Sequence, residues 1–264
     1  MPPGYRWDPA QYDRYADERG RPFRELVARV RVERPGRIAD VGCGPGSLTR
    51  SLAERWPDAT VVGVDSSVDM IAAAEPLAIP GRLEFVRADL REWRPAAPVD
   101  LVVANAVLQW VPGHLELLAG MAEWLAPGGA LAFQVPDNFD QPSHTVVREL
   151  RNSDRWRERL GGDADRRIAV ERPDAYLRAL VAAGLEPDVW QAEYLHVLGG
   201  EDPVLEWIKG TALRPVLDAL AGDQAAIDEF LSECGARLRA VYPPEEFGTV
   251  FAFRRTFAVG HRPG

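Results

Sequence analysis

Hydrophobic positions along the chain follow two spacings, one typical of strands and one typical of helices. Short β-branched or apolar runs predict five buried strands in the first half. They are Arg37–Gly42, Thr60–Asp65, Leu83–Val86, Val99–Ala104 and Ala130–Val135. Between these runs, apolar residues recur every three or four positions and predict helices, including Val68–Ala74 and His114–Leu125. Such alternation requires crossovers between parallel strands, so we expect a doubly wound, Rossmann-like α/β sheet.

The second half of the chain has a looser pattern. We expect a helix over Pro173–Ala183, a strand over Val189–Val197, a helix over Gln224–Val241 and a closing strand over Thr249–Val259. The closing strand is expected to be antiparallel in an otherwise mostly parallel sheet. We interpret the region from 201 to 220 as helical cover over the strand ends, and the charged stretch from 153 to 171 receives no assignment.

Composition narrows the class of protein. A chain of 264 residues can bury a full core without disulfides or a structural metal, and its two cysteines, Cys43 and Cys234, support neither. With 31 basic and 40 acidic residues the net charge is −9, which disfavours nucleic acid as a partner. Charges at Arg6 and Asp8 argue against a signal peptide, and no apolar run suggests a membrane span. We therefore expect a cytoplasmic protein without a metal site.

A glycine-rich turn follows the first predicted strand, at Gly42–Gly46. Open α/β sheets bind ligands at the carboxyl ends of their strands, and glycine lets the backbone approach a ligand closely. Asp65 ends the second strand, where a carboxylate can accept hydrogen bonds from both ribose hydroxyls, and Asp89 follows the third strand. A nicotinamide-binding turn would place its third glycine at position 47, which is Ser47, so we disfavour a nicotinamide-dependent oxidoreductase.

This pattern resembles class I S-adenosylmethionine-dependent methyltransferases, in which an acidic residue opens the glycine run. The resemblance implies that the glycine turn accommodates the methionine moiety, that Asp65 holds the ribose and that Asp89 lies at the adenine. The fourth strand ends in Ala104–Val111, which is also typical of that class. The residues that the resemblance implies for the cofactor are Asp40, Gly42, Gly44, Asp65, Ser66, Asp89, Leu90 and Asn105.

Several of these residues also have ordinary structural interpretations. Asp40 can accept hydrogen bonds from the glycine turn, Asp65 can cap a helix, and Asp89 can end a turn. Cys43 is interpreted as a small turn residue rather than a nucleophile, and Trp110 as either core or substrate contact.

A narrower resemblance spans nearly the whole chain. Segments such as Trp7–Tyr12, Ala104–Trp110, Gln134–Asn138 and Leu213–Pro215 resemble the bacterial trans-aconitate 2-methyltransferase family. That family forms a monomethyl ester of trans-aconitate, with S-adenosylhomocysteine as the second product. A carboxylate with a pKa of about 4 is ionised at neutral pH, so no general base and no catalytic residue are expected.

The remaining carboxylates of such a substrate need cations, and arginine binds carboxylates with two parallel hydrogen bonds. The residues that we predict to bind substrate are Tyr12, Tyr15, Arg19, Arg21, Trp110, His144 and Arg214. The alternative for any one arginine is a solvated surface charge.

We expect a single methyltransferase domain over 1–264. Residues 1–35 would form an amino-terminal helical cover, 36–136 the cofactor-binding core, and 137–264 the substrate-cover helices and closing strands. Two other functions stay open: a methyltransferase of the same fold for another small or carrier-bound carboxylate, and a protein that binds S-adenosylmethionine without turnover. The sequence leaves the oligomeric state open.

Overall fold

The computed structural model describes residues 16–160 and 170–264, without the side chains of residues 16–19. The described residues form two compact units. The first comprises residues 16–135, 170–191 and 256–264, and the second comprises 136–160 and 192–255.

Seven strands form one sheet in the order β3-β2-β1-β4-β5-β7-β6. Their bounds are β1 Arg37–Val41, β2 Thr60–Asp65, β3 Leu83–Arg87, β4 Val99–Asn105, β5 Leu125–Pro136, β6 Glu186–Leu198 and β7 Thr249–His261. The pairs β2–β3, β1–β2, β1–β4 and β4–β5 are parallel. Strand β7 runs antiparallel to β5, because Asp137 N bonds Arg254 O while the earlier Gly129 O accepts from the later Arg262 N. The expected sheet class is confirmed.

Ten α-helices are described. They are α1 Ala16–Ala28, α2 Ser47–Arg55, α3 Val68–Ala74, α4 His114–Glu123, α5 Pro142–Arg151, α6 Arg157–Leu160, α7 Pro173–Ala182, α8 Pro203–Lys209, α9 Arg214–Ala219 and α10 Gln224–Val241. Short 3₁₀ turns follow α3 and β4, at Glu75–Leu77 and Leu108–Trp110. None of these helices is long and apolar enough to cross a membrane.

The core of the first unit lies between the central strands and α4. Val102 of β4 and Leu131 of β5 are fully buried beside Leu118 and Met121 of α4. The strand order reverses between β1 and β4, since β2 and β3 lie on one side of β1 while β4 and β5 lie on the other. Such a reversal opens a crevice at the carboxyl ends of the two central strands, which is where doubly wound sheets bind ligands.

The second unit has an aromatic core of its own. Helix α10 packs against α5 and α8. Phe230 of α10 meets Trp156 edge to face, with ring centroids 5.2 Å apart. Trp207 of α8 meets Phe251 of β7 in the same way at 5.5 Å. This burial explains the amphipathic pattern that predicts α10 with its observed bounds.

The structure corrects one expected helix boundary and adds one helix that the sequence analysis did not predict. Helix α4 ends at Glu123 rather than at Leu125, because Leu125 pairs with Val99 and begins β5 before the Pro127–Gly129 segment. Helix α5 has no counterpart in the sequence analysis, although Pro142 at its start and the buried Val146, Val147 and Leu150 give a helical spacing. The helical character expected between 201 and 220 is confirmed by α8 and α9.

Candidate functional site

The glycine turn joins β1 to α2 through three residues with left-handed backbone. Gly42, Gly44 and Gly46 have φ of 76°, 56° and 83°. A Cβ added at Gly42 would lie 2.4 Å from Cβ of Val107, whereas a Cβ at Gly44 would meet no described atom within 4 Å. Packing therefore requires glycine at position 42. At position 44 the backbone faces open space that a ligand can approach closely.

Asp40 lies at the carboxyl end of β1 and is almost fully buried, at 2% exposure. Its Oδ2 accepts a 2.6 Å hydrogen bond from Thr49 Oγ1 of α2, while Oδ1 has no partner in the part of the chain that the structure describes. Burial raises the pKa of the Asp40 carboxyl to about 7, and the nearby Asp65 carboxylate adds to the rise. Asp40 thus ties β1 to the helix after the glycine turn.

Asp65 ends β2 and is 6% exposed. Its Oδ2 accepts from the backbone N–H of Gly44 at 3.0 Å and its Oδ1 from that of Ser67 at 2.8 Å. Burial raises the pKa of Asp65, and these N–H groups oppose the rise. Ser67, rather than Asp65, caps the start of α3, because its Oγ accepts a hydrogen bond from Met70 N. Asp65 therefore links the end of β2 to the glycine turn, and each of its oxygens keeps acceptor capacity.

Asp89 follows β3 and forms a two-point ion pair with Arg91. Nη2 of Arg91 lies 2.5 Å from Oδ2 of Asp89, and Nε lies 3.0 Å from Oδ1. The hydrogen bonds from Arg91 lower the pKa of Asp89 to about 2. Asp89 is thus a fixed anion at neutral pH.

A small cavity at the carboxyl ends of the strands brings most of the predicted cofactor residues together. Its lining comprises Gly42, Val64, Asp65, Ser66, Ala88, Asp89, Leu90, Val107, Trp110 and Val111. Three predicted cofactor residues, Asp40, Gly44 and Asn105, lie outside this lining. Asn105 ends β4, and its Oδ1 accepts a 2.7 Å hydrogen bond from Gln134 Nε2. The sequence analysis missed Val64, Ala88, Val107 and Val111 because apolar residues at strand ends carry no chemical signature of their own.

The lining fits S-adenosylmethionine. The lining supplies a buried carboxylate, Asp65, where a ribose diol needs two acceptors, and Gly44 adjoins the lining through its hydrogen bond to Asp65. Leu90, Val107 and Val111 provide apolar walls for a planar base. Trp110 belongs to this lining and is not a core residue alone.

A larger cavity, of about 530 Å³, lies at the amino-terminal ends of the strands. It is lined by the first residues of β1, β2 and β3, including Arg37 and Thr60, and by the connection at Trp93–Ala97. None of the predicted site residues that the structure describes lies there, and ligands of doubly wound sheets bind at the carboxyl ends of strands. The cavity at the carboxyl ends of the strands is therefore the candidate site, although it is the smaller of the two.

The predicted substrate residues lie on scattered elements. Tyr12 and Tyr15 fall outside the described residues, as does the side chain of Arg19. Arg21, on α1, forms a 2.9 Å exposed ion pair with Glu25. For these residues the substrate role stays a prediction.

Two further substrate candidates lie in the second unit. The ring Nδ1 of His144, on α5, lies 3.2 Å from Ser143 Oγ, and the ring packs edge-on against Phe139. Arg214 begins α9, and its Nε lies 3.0 Å from Oδ1 of Asp218. One donor of the Arg214 guanidinium therefore bonds Asp218, and the predicted hydrogen bonds to a substrate carboxylate would use the other donors.

The sheet order, the glycine turn and the acidic strand end together define a methyltransferase of the class I fold. The methyltransferase domain family matches residues 12–189 of the chain. A solved structure of phosphoethanolamine N-methyltransferase 2 from Haemonchus contortus, with S-adenosylhomocysteine bound, shares this fold. It has a TM-score of 0.55 at 17% identity and covers 92% of this chain and 53% of its own.

Full-length relatives define the family more narrowly. A trans-aconitate 2-methyltransferase of Streptomyces avermitilis is 55% identical over 262 residues, covering 97% of each chain. One of Streptomyces coelicolor is 54% identical, covering 97% of this chain and 87% of its own. The chain belongs to the trans-aconitate 2-methyltransferase family of S-adenosylmethionine-dependent methyltransferases.

Proposed function

We propose that this protein methylates one carboxylate of trans-aconitate, giving the monomethyl ester and S-adenosylhomocysteine. The observation that carries the proposal is the 55% identity, over nearly the full length of both chains, with a relative that is named for this reaction. The cofactor constellation of Asp40, Gly42, Gly44 and Asp65 supports it at the level of individual residues.

The cofactor, when bound, supplies a sulfonium methyl group for displacement by a carboxylate oxygen. The chain's residues then have binding and orienting roles. Asp65 would accept hydrogen bonds from the ribose, and the backbone at Gly44 would lie against the methionine moiety. Asp89 and Leu90 would flank the adenine, and Trp110 would face the reacting groups.

No residue is needed as a general base. A substrate carboxylate with a pKa of about 4 is ionised at neutral pH and can attack directly. The rate enhancement then comes from orientation and from exclusion of water, for which effective molarities of about 10⁵ M or more are attainable. The absence of a general base agrees with the lining of the cavity, because its titratable residues already have partners. Asp65 accepts from a backbone N–H and Asp89 from an arginine.

The substrate's other carboxylates would be held by cations, because the net charge of −9 repels a trianion at long range. Arg214, Arg19, Arg21 and His144 are the proposed donors, with Tyr12, Tyr15 and Trp110 forming walls. Arg214 is the preferred clamp, since its planar guanidinium keeps donors beyond the one that Asp218 engages.

We also infer that the protein acts in the cytoplasm on a small-molecule substrate. Both cysteines are free and buried, which suits a reducing compartment. Cell fractionation of the native host tests this inference, and recovery from the exported fraction alone contradicts it.

The selectivity test is a panel of acids assayed with S-adenosylmethionine and the purified protein. It comprises trans-aconitate, cis-aconitate, citrate, a medium-chain fatty acid and a carrier-bound acid. We expect the highest kcat/KM with trans-aconitate. A higher value with the fatty or carrier-bound acid contradicts the assigned substrate while keeping the reaction class. Binding of S-adenosylmethionine without turnover of any acid contradicts the enzyme itself.

A further inference from the structure

Ala106, the first residue after β4, has an unusual backbone conformation. Its φ is 53°, and it is the only residue other than glycine with a positive φ in the part of the chain that the structure describes. Left-handed backbone is unfavourable for alanine, because its Cβ approaches the following carbonyl oxygen. Such a residue keeps this conformation only when neighbouring groups hold it, and strained positions of this kind concentrate at functional sites.

Two glutamines form hydrogen bonds with the backbone of Ala106. The N–H of Ala106 donates to the backbone carbonyl of Gln134, in β5, at 3.0 Å. The carbonyl of Ala106 accepts a 2.8 Å hydrogen bond from the side-chain Nε2 of Gln109. Gln109 lies in the 3₁₀ turn Leu108–Trp110 and is 3% exposed, so solvent cannot replace this bond.

The burial of Gln109 argues that its hydrogen bond matters. Its Oε1 is buried and has no hydrogen-bond partner among the described residues. A buried acceptor without a partner costs free energy that an apolar side chain of similar shape would avoid. The favourable contribution of this side chain must therefore come from its N–H group, which donates to the carbonyl of Ala106.

The turn that Gln109 closes forms one wall of the cofactor cavity. Val107 and Trp110 both line it, and the Val107 side chain lies against Gly42 of the glycine turn. If Ala106 relaxed to a right-handed conformation, the chain direction after β4 would change and both lining residues would move. The conformation of a single alanine is thus coupled to the shape of the cavity.

We propose that Gln109 is a positioning residue for S-adenosylmethionine, which acts by holding Ala106 in its left-handed conformation. Gln109 need not touch the cofactor for this role. The inference rests on the proposed cofactor site and deepens it.

The test combines three variants with calorimetric measurement of S-adenosylmethionine binding. Gln109→Met keeps the volume and removes the N–H donor, so we expect about a five-fold or greater loss of affinity, the worth of one hydrogen bond. Ala106→Gly accepts a positive φ without strain and should bind within about two-fold of wild type. In the double variant the left-handed conformation no longer needs the donor, so most of the lost affinity should return.

Gln224→Met is the matched control, because Gln224 makes an exposed hydrogen bond with Asp228 on α10. It should bind the cofactor as wild type does. If Gln109 has only a packing role, Gln109→Met binds like wild type, and that result overturns the inference. A double variant no better than Gln109→Met overturns it as well, since relief of strain is the proposed cause. If wild type itself does not bind S-adenosylmethionine, the proposed function fails instead.

Discussion

At the scale of single residues, the acidic residue at the end of β2 has two tasks. Asp65 accepts hydrogen bonds from Gly44 and Ser67, so it shapes the glycine turn, and its remaining acceptor capacity is available to a ribose. The sequence predicts the position of this carboxylate because strand ends and glycine turns have clear signatures. It does not predict the Gly44 and Ser67 contacts, which depend on the path of the backbone.

The first prediction concerns the affinity for S-adenosylmethionine. Asp65→Asn keeps the side chain's size but loses its charge and one acceptor. Charge-assisted hydrogen bonds are worth about 1.5–3 kcal/mol each, so affinity measured by calorimetry should fall at least about ten-fold. Asp58→Asn, an exposed change of equal charge before β2, is the control and should bind normally. Equal affinity of both variants would remove Asp65 from the cofactor site.

The second prediction concerns the pH dependence of stability. Because the pKa of Asp40 is about 7 when folded and about 3.8 when unfolded, the folded chain binds more protons between these values. The associated stability is fully present below about pH 4 and is lost as the pH rises through 7. Asp40→Asn resembles the neutral carboxyl and lacks this loss.

Urea unfolding at pH 5 and pH 8 measures the effect. Between pH 5 and pH 8 the wild type should lose about 2–3 kcal/mol of unfolding free energy that Asp40→Asn retains. Asp58→Asn again provides the control, with no such change. A difference between Asp40→Asn and wild type that is equal at both pH values would contradict the raised pKa.

The third prediction concerns Arg214, which forms an ion pair with Asp218 and is proposed to bind a substrate carboxylate. Arg214→Met should lower kcat/KM for trans-aconitate by an amount equivalent to about 2–5 kcal/mol. Arg214→Lys should also impair turnover, because it lacks the planar fork. Arg237→Met removes a similar i,i+4 ion pair, with Glu233, and should leave turnover unchanged. If all three variants turn over like wild type, Arg214 is a surface charge and the clamp lies elsewhere.

At the scale of elements, the strands were easier to predict than the boundaries between strands and helices. The runs that form β1, β2 and β4 are mostly apolar and mostly buried, so their composition identifies them as strands. The end of α4 was misplaced, because the pairing of Leu125 with Val99 is a tertiary contact that the local sequence does not encode. Helix α5 was missed because its apolar residues lie among the polar ones that follow β5.

The fourth prediction concerns the turn between β1 and α2. Gly42→Ala places a Cβ 2.4 Å from the Val107 side chain at a φ of 76°, so it should lower the free energy of unfolding by about 3 kcal/mol or more. Gly44→Ala has open space and only the backbone strain, so about 1–2 kcal/mol is expected.

Urea unfolding and calorimetry together separate the two glycines. Gly44→Ala should stay folded and bind S-adenosylmethionine more weakly, because its methyl group occupies the space that the ligand approaches. A Gly44→Ala variant that binds as tightly as wild type would show that the ligand does not approach the turn at this position.

At the scale of the whole molecule, the negative net charge of the protein opposes binding of the proposed anionic substrate. A net charge of −9 suits a cationic sulfonium cofactor but repels a polycarboxylate. Substrate binding must therefore depend on a few local cations. The sequence predicts the cofactor site from motifs at three strand ends. The substrate site could not be predicted as securely, because isolated arginines and histidines have no spacing rule, and Tyr12 and Tyr15 lie outside the described residues.

The most direct test of the account identifies the bond that is formed. The protein is incubated with trans-aconitate and S-adenosylmethionine carrying a ¹³C-labelled methyl group, and the product is analysed by NMR and mass spectrometry. The account predicts one labelled methyl group as a carboxylate ester, one S-adenosylhomocysteine per ester, and no ester without protein. A labelled methyl group on a carbon atom of trans-aconitate, or no labelled product at all, would contradict it.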